Sequence, residues 1–205
     1  MDILGVLLIG LLYGIKHSFE PDHVVAMSTI VSKSKSVWST AVVGVLWGLG
    51  HVVTLVVVGV SLILLKQEIP HFIIIVLELV FALFLIYIGV SALRNKHFHV
   101  HHDIDFKRMK IRSLFIGFIH GLIGSTFMIL IVTNTEMTQM QSIINVIGFA
   151  FGTFVGMVGF TVVIGLPFVL SSHNKNINKY LSMVTGVISI LFGLILFYEV
   201  VINFI

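Results

Sequence analysis

The chain has 205 residues, 58% of them hydrophobic and 10% charged, with a net charge of +3 and no cysteine. A soluble domain carries about 25% charged residues, so this composition excludes a water-facing globule and points to an integral membrane protein. Without cysteine there are no disulfides, thiolate metal sites or thiol redox relays.

Six apolar segments follow one another: Ile3–Val31, Val37–Leu65, Phe72–Leu93, Ser113–Thr133, Ser142–Leu170 and Leu181–Ile202. Each has the roughly 20 residues needed to cross a hydrocarbon core. None shows the alternation over about 10 residues that marks a barrel strand. The fold class expected is an all-α polytopic membrane protein with six transmembrane helices. The opening Met1-Asp2-Ile3 lacks a basic n-region and a small-residue cleavage site, so the first segment reads as a span and not a removable signal. The second and fifth segments exceed the core thickness, and they tilt or end in water.

The first span carries the densest chemistry: Lys16-His17-Ser18-Phe19-Glu20-Pro21-Asp22-His23. A charge at the bilayer centre costs about 2.5–3.5 kcal/mol even on insertion scales, so such a cluster is by default a functional site. In an unbroken helix, residues five and six apart are rotated by about 140° and 240°, and His17, Asp22 and His23 diverge. Pro21 changes this. It removes a backbone donor, pushes Glu20 out of helical geometry, and suits the first position of a new helix. A break near Glu20 is therefore predicted, bringing His17 from one half-helix towards Asp22 and His23 of the other. Broken helices at membrane depth are tolerated where they line a polar cavity.

Two further intramembrane histidines lie in later spans: His51 in Leu49-Gly50-His51-Val52-Val53-Thr54, and His120 in His120-Gly121-Leu122-Ile123-Gly124-Ser125. Imidazole and carboxylate suit Ni, Co, Zn and Cu(II), whereas Cu(I) would want thioethers, and the methionines are scattered. A ligand set of His17, Asp22 and His23, completed by His51 or Glu20 and with His120 as a further candidate, suits a divalent transition-metal ion. Lys16 offsets a carboxylate or snorkels. Glu78 pairs with a polar group or relays protons, and Glu199 lies near a helix end, where it reaches water.

Ten of the 12 Lys and Arg fall in alternate loops: Lys33 and Lys35, then Arg94, Lys96, Lys107, Arg108, Lys110 and Arg112, then Lys175 and Lys179. The positive-inside rule puts those loops in the cytoplasm and both termini outside, in a multi-pass protein of the cell membrane. The basic residues thus serve topology and anionic lipid, and nucleic acid is not an expected partner.

The chain also repeats itself. Gly14-x-x-His17 recurs as Gly117-x-x-His120, while Gly44, Gly48 and Gly89 recur 104 residues later as Gly148, Gly152 and Gly193. Three spans per half put the second half into the membrane from the opposite side, as in the inverted repeats of secondary transporters. The expected division is a first three-helix repeat over 1–93, a cytoplasmic His-rich and basic loop over 94–112, and a second repeat over 113–205. The Gly44-x-x-x-Gly48 and Gly148-x-x-x-Gly152-x-x-x-Gly156 stripes read as helix packing and not as chemistry.

At His17-Ser18-Phe19-Glu20-Pro21-Asp22-His23 the sequence resembles the nickel/cobalt transporter superfamily, whose hallmark is His, four residues, then Asp-His. Leu49-Gly50-His51 resembles its second-span motif. Gly14, Glu20-Pro21-Asp22-His23 and His120-Gly121-x-x-Gly124-Ser125 are most similar to the urease-accessory nickel permeases. Classical permeases carry His-Ala-x-Asp-Ala-Asp-His and about eight spans, so Glu20, Pro21 and the six spans are departures. The resemblance implies transport of Ni2+ or Co2+ as substrate through His17, Asp22, His23 and His51, with no organic cofactor.

The segment Lys96-His97-Phe98-His99-Val100-His101-His102-Asp103-Ile104-Asp105 adds a run that can gather metal loosely, and a His-rich loop there also resembles nickel and cobalt exporters. A cytoplasmic metallochaperone or a second copy of the chain are further candidate partners. The function expected is a secondary transporter of nickel or cobalt with alternating access, and histidine protonation near neutral pH offers a coupling to protons. The competing readings are an exporter of amino acids or other small solutes, and a metal or urease accessory subunit that does not transport. An enzyme is not expected, since His-Glu-x-x-His and cysteine are both missing.

Overall fold

The structure is a computed structural model that describes residues 2–32, 34, 36–66, 70–94, 102–123, 137–172 and 174–204. Its described residues form seven α-helices and no strand: α1 Ile3–His17, α2 Pro21–Val31, α3 Val37–Leu65, α4 His71–Arg94, α5 His102–Ile123, α6 Gln139–Leu170 and α7 Lys175–Phe204. Helices α3, α4, α6 and α7 are long and apolar enough to cross a membrane, and α1 with α2 make a fifth candidate bent by 55° at the break. The protein is a helical, multi-pass membrane protein. The fourth predicted span is described only as far as Ile123, and its remainder lies outside the described residues, as do 95–101 of the His-rich segment. Helix α5 starts at His102, within the basic segment, and so begins well before the apolar run at Ser113.

The helix starts follow from side chains that satisfy otherwise orphaned backbone donors. Asp2 accepts from the Gly5 amide at 2.7 Å, Ser36 from the Ser39 amide at 3.1 Å, and Thr138 and Gln141 form a capping box at the start of α6. Between α1 and α2, Glu20 is extended at φ −62° and ψ 146°, and Pro21 is the first residue of α2. This is the break the sequence predicts.

Burial is arranged for lipid and not for water. His51, His120, Thr153, Thr161 and Ser189 are fully buried, while Leu12, Trp38, Leu65, Tyr87 and Leu170 face outward. Apolar residues on the outside and polar residues within are what a hydrocarbon solvent selects.

Packing pairs α1 with α6, α3 with α5, α3 with α6, and α4 with α7. Glycines set the closest approaches. A Cβ at Gly14 would fall on the Phe149 carbonyl oxygen, one at Gly152 on that of Leu11, one at Gly50 on that of Leu114, and one at Gly117 on that of Trp47. At Gly44 and Gly48 the neighbours are Thr161 and Phe154 of α6, in keeping with a packing role. The α4–α7 crossing reads the same in both directions. A Cβ at Gly89 would lie 2.6 Å from the Gly186 carbonyl oxygen and 2.7 Å from Ile190; one at Gly193 would lie 2.8 Å from the Ala82 carbonyl oxygen and 2.8 Å from Ile86. At its centre the Ser189 hydroxyl donates to the Leu85 carbonyl at 2.8 Å.

Gly117→Val should force α3 and α5 apart. Overpacking of this kind costs about 1–3 kcal/mol and should lower the thermal midpoint in detergent. Gly159→Ala, whose new Cβ meets nothing within 4 Å, should not lower it. Equal midpoints in the two variants would contradict glycine-limited packing.

Candidate metal centre

The break in the first span ends α1 at His17 and starts α2 at Pro21, so the negative end of one helix dipole and the positive end of another meet here. Asp22 lies in the first turn of α2, where a carboxylate is favoured. It accepts from the His23 amide at 2.8 Å. On α3 and α5, His51 and His120 each adjoin a glycine of the close crossing, Gly50 and Gly121, and a Cβ at Gly121 would lie 2.5 Å from the His51 carbonyl oxygen. The Thr54 hydroxyl ties the same helices together, donating to the Phe118 carbonyl at 3.2 Å. Tight helix packing is thus what brings the four imidazoles to one place.

His23, His51 and His120 are fully buried, and His17 is 4% exposed. Ring centroids are 4.6 Å apart for His17 and His23, 5.1 Å for His23 and His51, 5.6 Å for His17 and His51, and 4.1 Å for His23 and His120. Two triads have ligand atoms within 4.8 Å of one another: His17, His23 and His51, and Asp22, His23 and His120. His23 belongs to both. The sequence groups His17, Asp22 and His23 as one set; the structure divides them.

The two carboxylates sit at different members of this cluster. Asp22 has Oδ1 3.0 Å from His23 Nδ1 and Oδ2 3.0 Å from His120 Nε2. Glu20 has Oε2 2.9 Å from His17 Nδ1, and its side chain is about half exposed. A carboxylate only accepts hydrogen bonds, so with Asp22 ionised both facing nitrogens carry hydrogen and donate. Their opposite nitrogens, His23 Nε2 and His120 Nδ1, and both nitrogens of His51 are buried with no hydrogen-bond partner among the described residues. Leaving a buried polar atom unsatisfied costs about 1–3 kcal/mol. A divalent cation would satisfy several such atoms at once, and an imidazole held by a carboxylate on its far nitrogen is an oriented ligand.

Lys16 is exposed and forms no ion pair among the described residues. Glu78 is partly buried on α4 and belongs to neither triad, and Glu199 is exposed on α7. Aromatic residues that the sequence reading leaves out enclose the cluster. Trp47 is fully buried, with its ring 5.4 Å from His23 and 5.8 Å from His120. Phe81 lies 4.4 Å from His120, and Phe149 lies 5.2 Å from His17. Trp47 is one helical turn before His51, a spacing that puts both on one face.

The chain is 39% identical over 207 residues to the urease accessory protein UreH of Bacillus sp. (strain TB-90), an alignment covering 95% of this chain and 91% of that protein. No family model matches the chain, and no solved structure matches it significantly. By its name the relative is an accessory protein. Similarity over nearly the full length, with the His17 to His23 motif folded into a histidine and aspartate cluster, makes the chain a member of the urease accessory protein UreH family, in the urease-accessory branch of the nickel/cobalt transporter superfamily.

Proposed function

We propose that this protein is a secondary transporter of nickel or cobalt ions, taking one partly dehydrated cation near the membrane midplane and exposing it to either side in turn. One observation carries the reading: α1, α2, α3 and α5 bring four buried imidazoles together, several with unsatisfied nitrogens, inside a bundle whose outside suits lipid. Imidazole donors with a carboxylate match these borderline divalent ions. The ligands in this reading are His17, Asp22, His23 and His51, with His120 and Glu20 at its edges.

The movement follows from six spans arranged as inverted repeats, 1–93 and 113–205, joined through 94–112. Helix pairing supports this. If span one is exchanged with span four, two with five and three with six, the α1–α6 contact becomes the α3–α5 contact. The α3–α6 and α4–α7 contacts become themselves, and residues 104 apart trade places at the α4–α7 crossing. Rocking one repeat against the other would expose the ion alternately. Both termini face outward at the cell membrane, by the distribution of Lys and Arg.

The test is cellular. His17→Ala should abolish protein-dependent change in cell nickel, by at least tenfold, while immunoblots show unchanged protein in the membrane. Nickel content equal to wild type would contradict the proposal. A second reading has the relative's name in its favour: an accessory membrane subunit that carries no ion itself. Flux by the purified protein separates the two.

A further inference from the structure

The cluster holds two triads and not one shell of equivalent ligands, and they differ in chemistry. His17, His23 and His51 offer three nitrogens, all buried; Asp22, His23 and His120 offer two nitrogens and a carboxylate that keeps some exposure. His23 alone is common to both. A neutral imidazole has one lone pair, because the other nitrogen carries the hydrogen. An ion held with Asp22 and His120 takes His23 Nδ1, the nitrogen 3.0 Å from Asp22, and leaves the hydrogen on Nε2. An ion held with His17 and His51 takes Nε2, and Nδ1–H donates to Asp22, in keeping with the 3.0 Å contact between them and the unpartnered Nε2.

On the transport reading above, we propose that the cation moves between two mutually exclusive stations, Asp22/His23/His120 and His17/His23/His51, with His23 as the ligand that passes it on. Charge argues for the same exclusion. Two divalent ions a few ångströms apart in a low-dielectric interior repel strongly, and of the two carboxylates beside the rings only Asp22 belongs to a triad among the described residues. The carboxylates mark the two ends of the path. Asp22 serves the first station, and Glu20, 2.9 Å from His17 Nδ1 and about half exposed, receives or delivers the ion beyond the second. In this path Asp22 has two duties: it is a ligand when the ion is beside it and an orienting acceptor for His23 when the ion has moved on.

The test uses the full-length, tag-free protein in lipid nanodiscs, loaded with Ni2+ and measured by stoichiometry and by nickel-edge X-ray absorption, which counts coordinated imidazoles. Spectra are taken as differences against a variant with His17, His23, His51 and His120 all changed to Gln, so that binding by the 95–112 segment cancels. His51→Gln should still bind one ion, with two imidazoles and a carboxylate. His120→Gln should also bind one ion, with three imidazoles. His23→Gln should weaken binding at least 100-fold, and all three variants should lose flux at least tenfold. Matching His→Asn variants serve where a Gln variant is not recovered from the membrane. Loss of binding in His51→Gln and His120→Gln equal to that in His23→Gln, or two ions bound at once by the wild type, overturns the two stations and leaves transport standing. Wild-type binding without flux overturns transport and the hand-off with it.

Discussion

Replacing His23 by glutamine should reduce nickel flux at least 100-fold, the largest loss expected from any single substitution. The reason is position. His23 is fully buried at the start of α2, belongs to both candidate triads, and contacts the rings of His17, His51, His120 and Trp47. Glutamine fills similar space and keeps a polar group, but it lacks a nitrogen lone pair on either side. Initial rates of 63Ni2+ entry into proteoliposomes, normalised to protein recovered, give the measurement. A loss under threefold would show that the ion does not pass His23.

Asp22→Asn should cost 10- to 100-fold in nickel affinity, on the scale seen when a carboxylate orienting a metal-bound histidine is removed. Two effects add. The substitution deletes the negative charge shared by His23 and His120, which an ion in a low-dielectric site needs for neutralisation. It also spoils the hydrogen bonding. Asp22 now accepts from both His23 Nδ1 and His120 Nε2, whereas an amide has one accepting oxygen and a donating NH2. One of the two imidazoles must then turn its hydrogen to the other nitrogen, and for His23 that takes the Nε2 lone pair away from the His17/His23/His51 triad. Calorimetric titration with Ni2+ in nanodiscs measures this directly. An affinity within twofold of wild type would mean that Asp22 neither ligates nor orients.

The break at the first span shows how far local chemistry carries. Pro21 forbids a continuous helix and suits a new one, so a kink between His17 and Asp22 follows from the covalent properties of a single residue, and the structure places it there. The apolar spans were legible for a similar reason: run length in hydrocarbon is a local quantity, and Val37–Leu65 matches α3 from end to end. Helix α5 was less so. Its polar first turns read as loop from composition, yet it begins at His102.

What sequence could not provide were relations across the bundle. His120 is 98 residues from Asp22, and the two come to 3.0 Å where α2 and α5 both pack against α4. The Gly-x-x-His spacing makes His120 the expected counterpart of His17 but gives no partner for it. The division of the ligands into two triads likewise depends on ring orientation, which spacing along the chain does not encode. Trp47 is hidden in the sequence because an apolar residue in an apolar helix carries no compositional signal. Its i,i+4 relation to His51 was the one available clue.

The most direct test of the central claim is metal flux into liposomes containing only the purified protein. Vesicles are loaded with a metal-sensitive dye and challenged with Ni2+, Co2+, Zn2+, Mn2+ or Mg2+, under a pH gradient of either sign. The account predicts saturable entry of Ni2+ or Co2+ at least tenfold above empty vesicles, absent with Mg2+ and abolished by His23→Gln. Dye signals equal to those of empty vesicles for every ion, from protein that remains folded and correctly inserted, would contradict it.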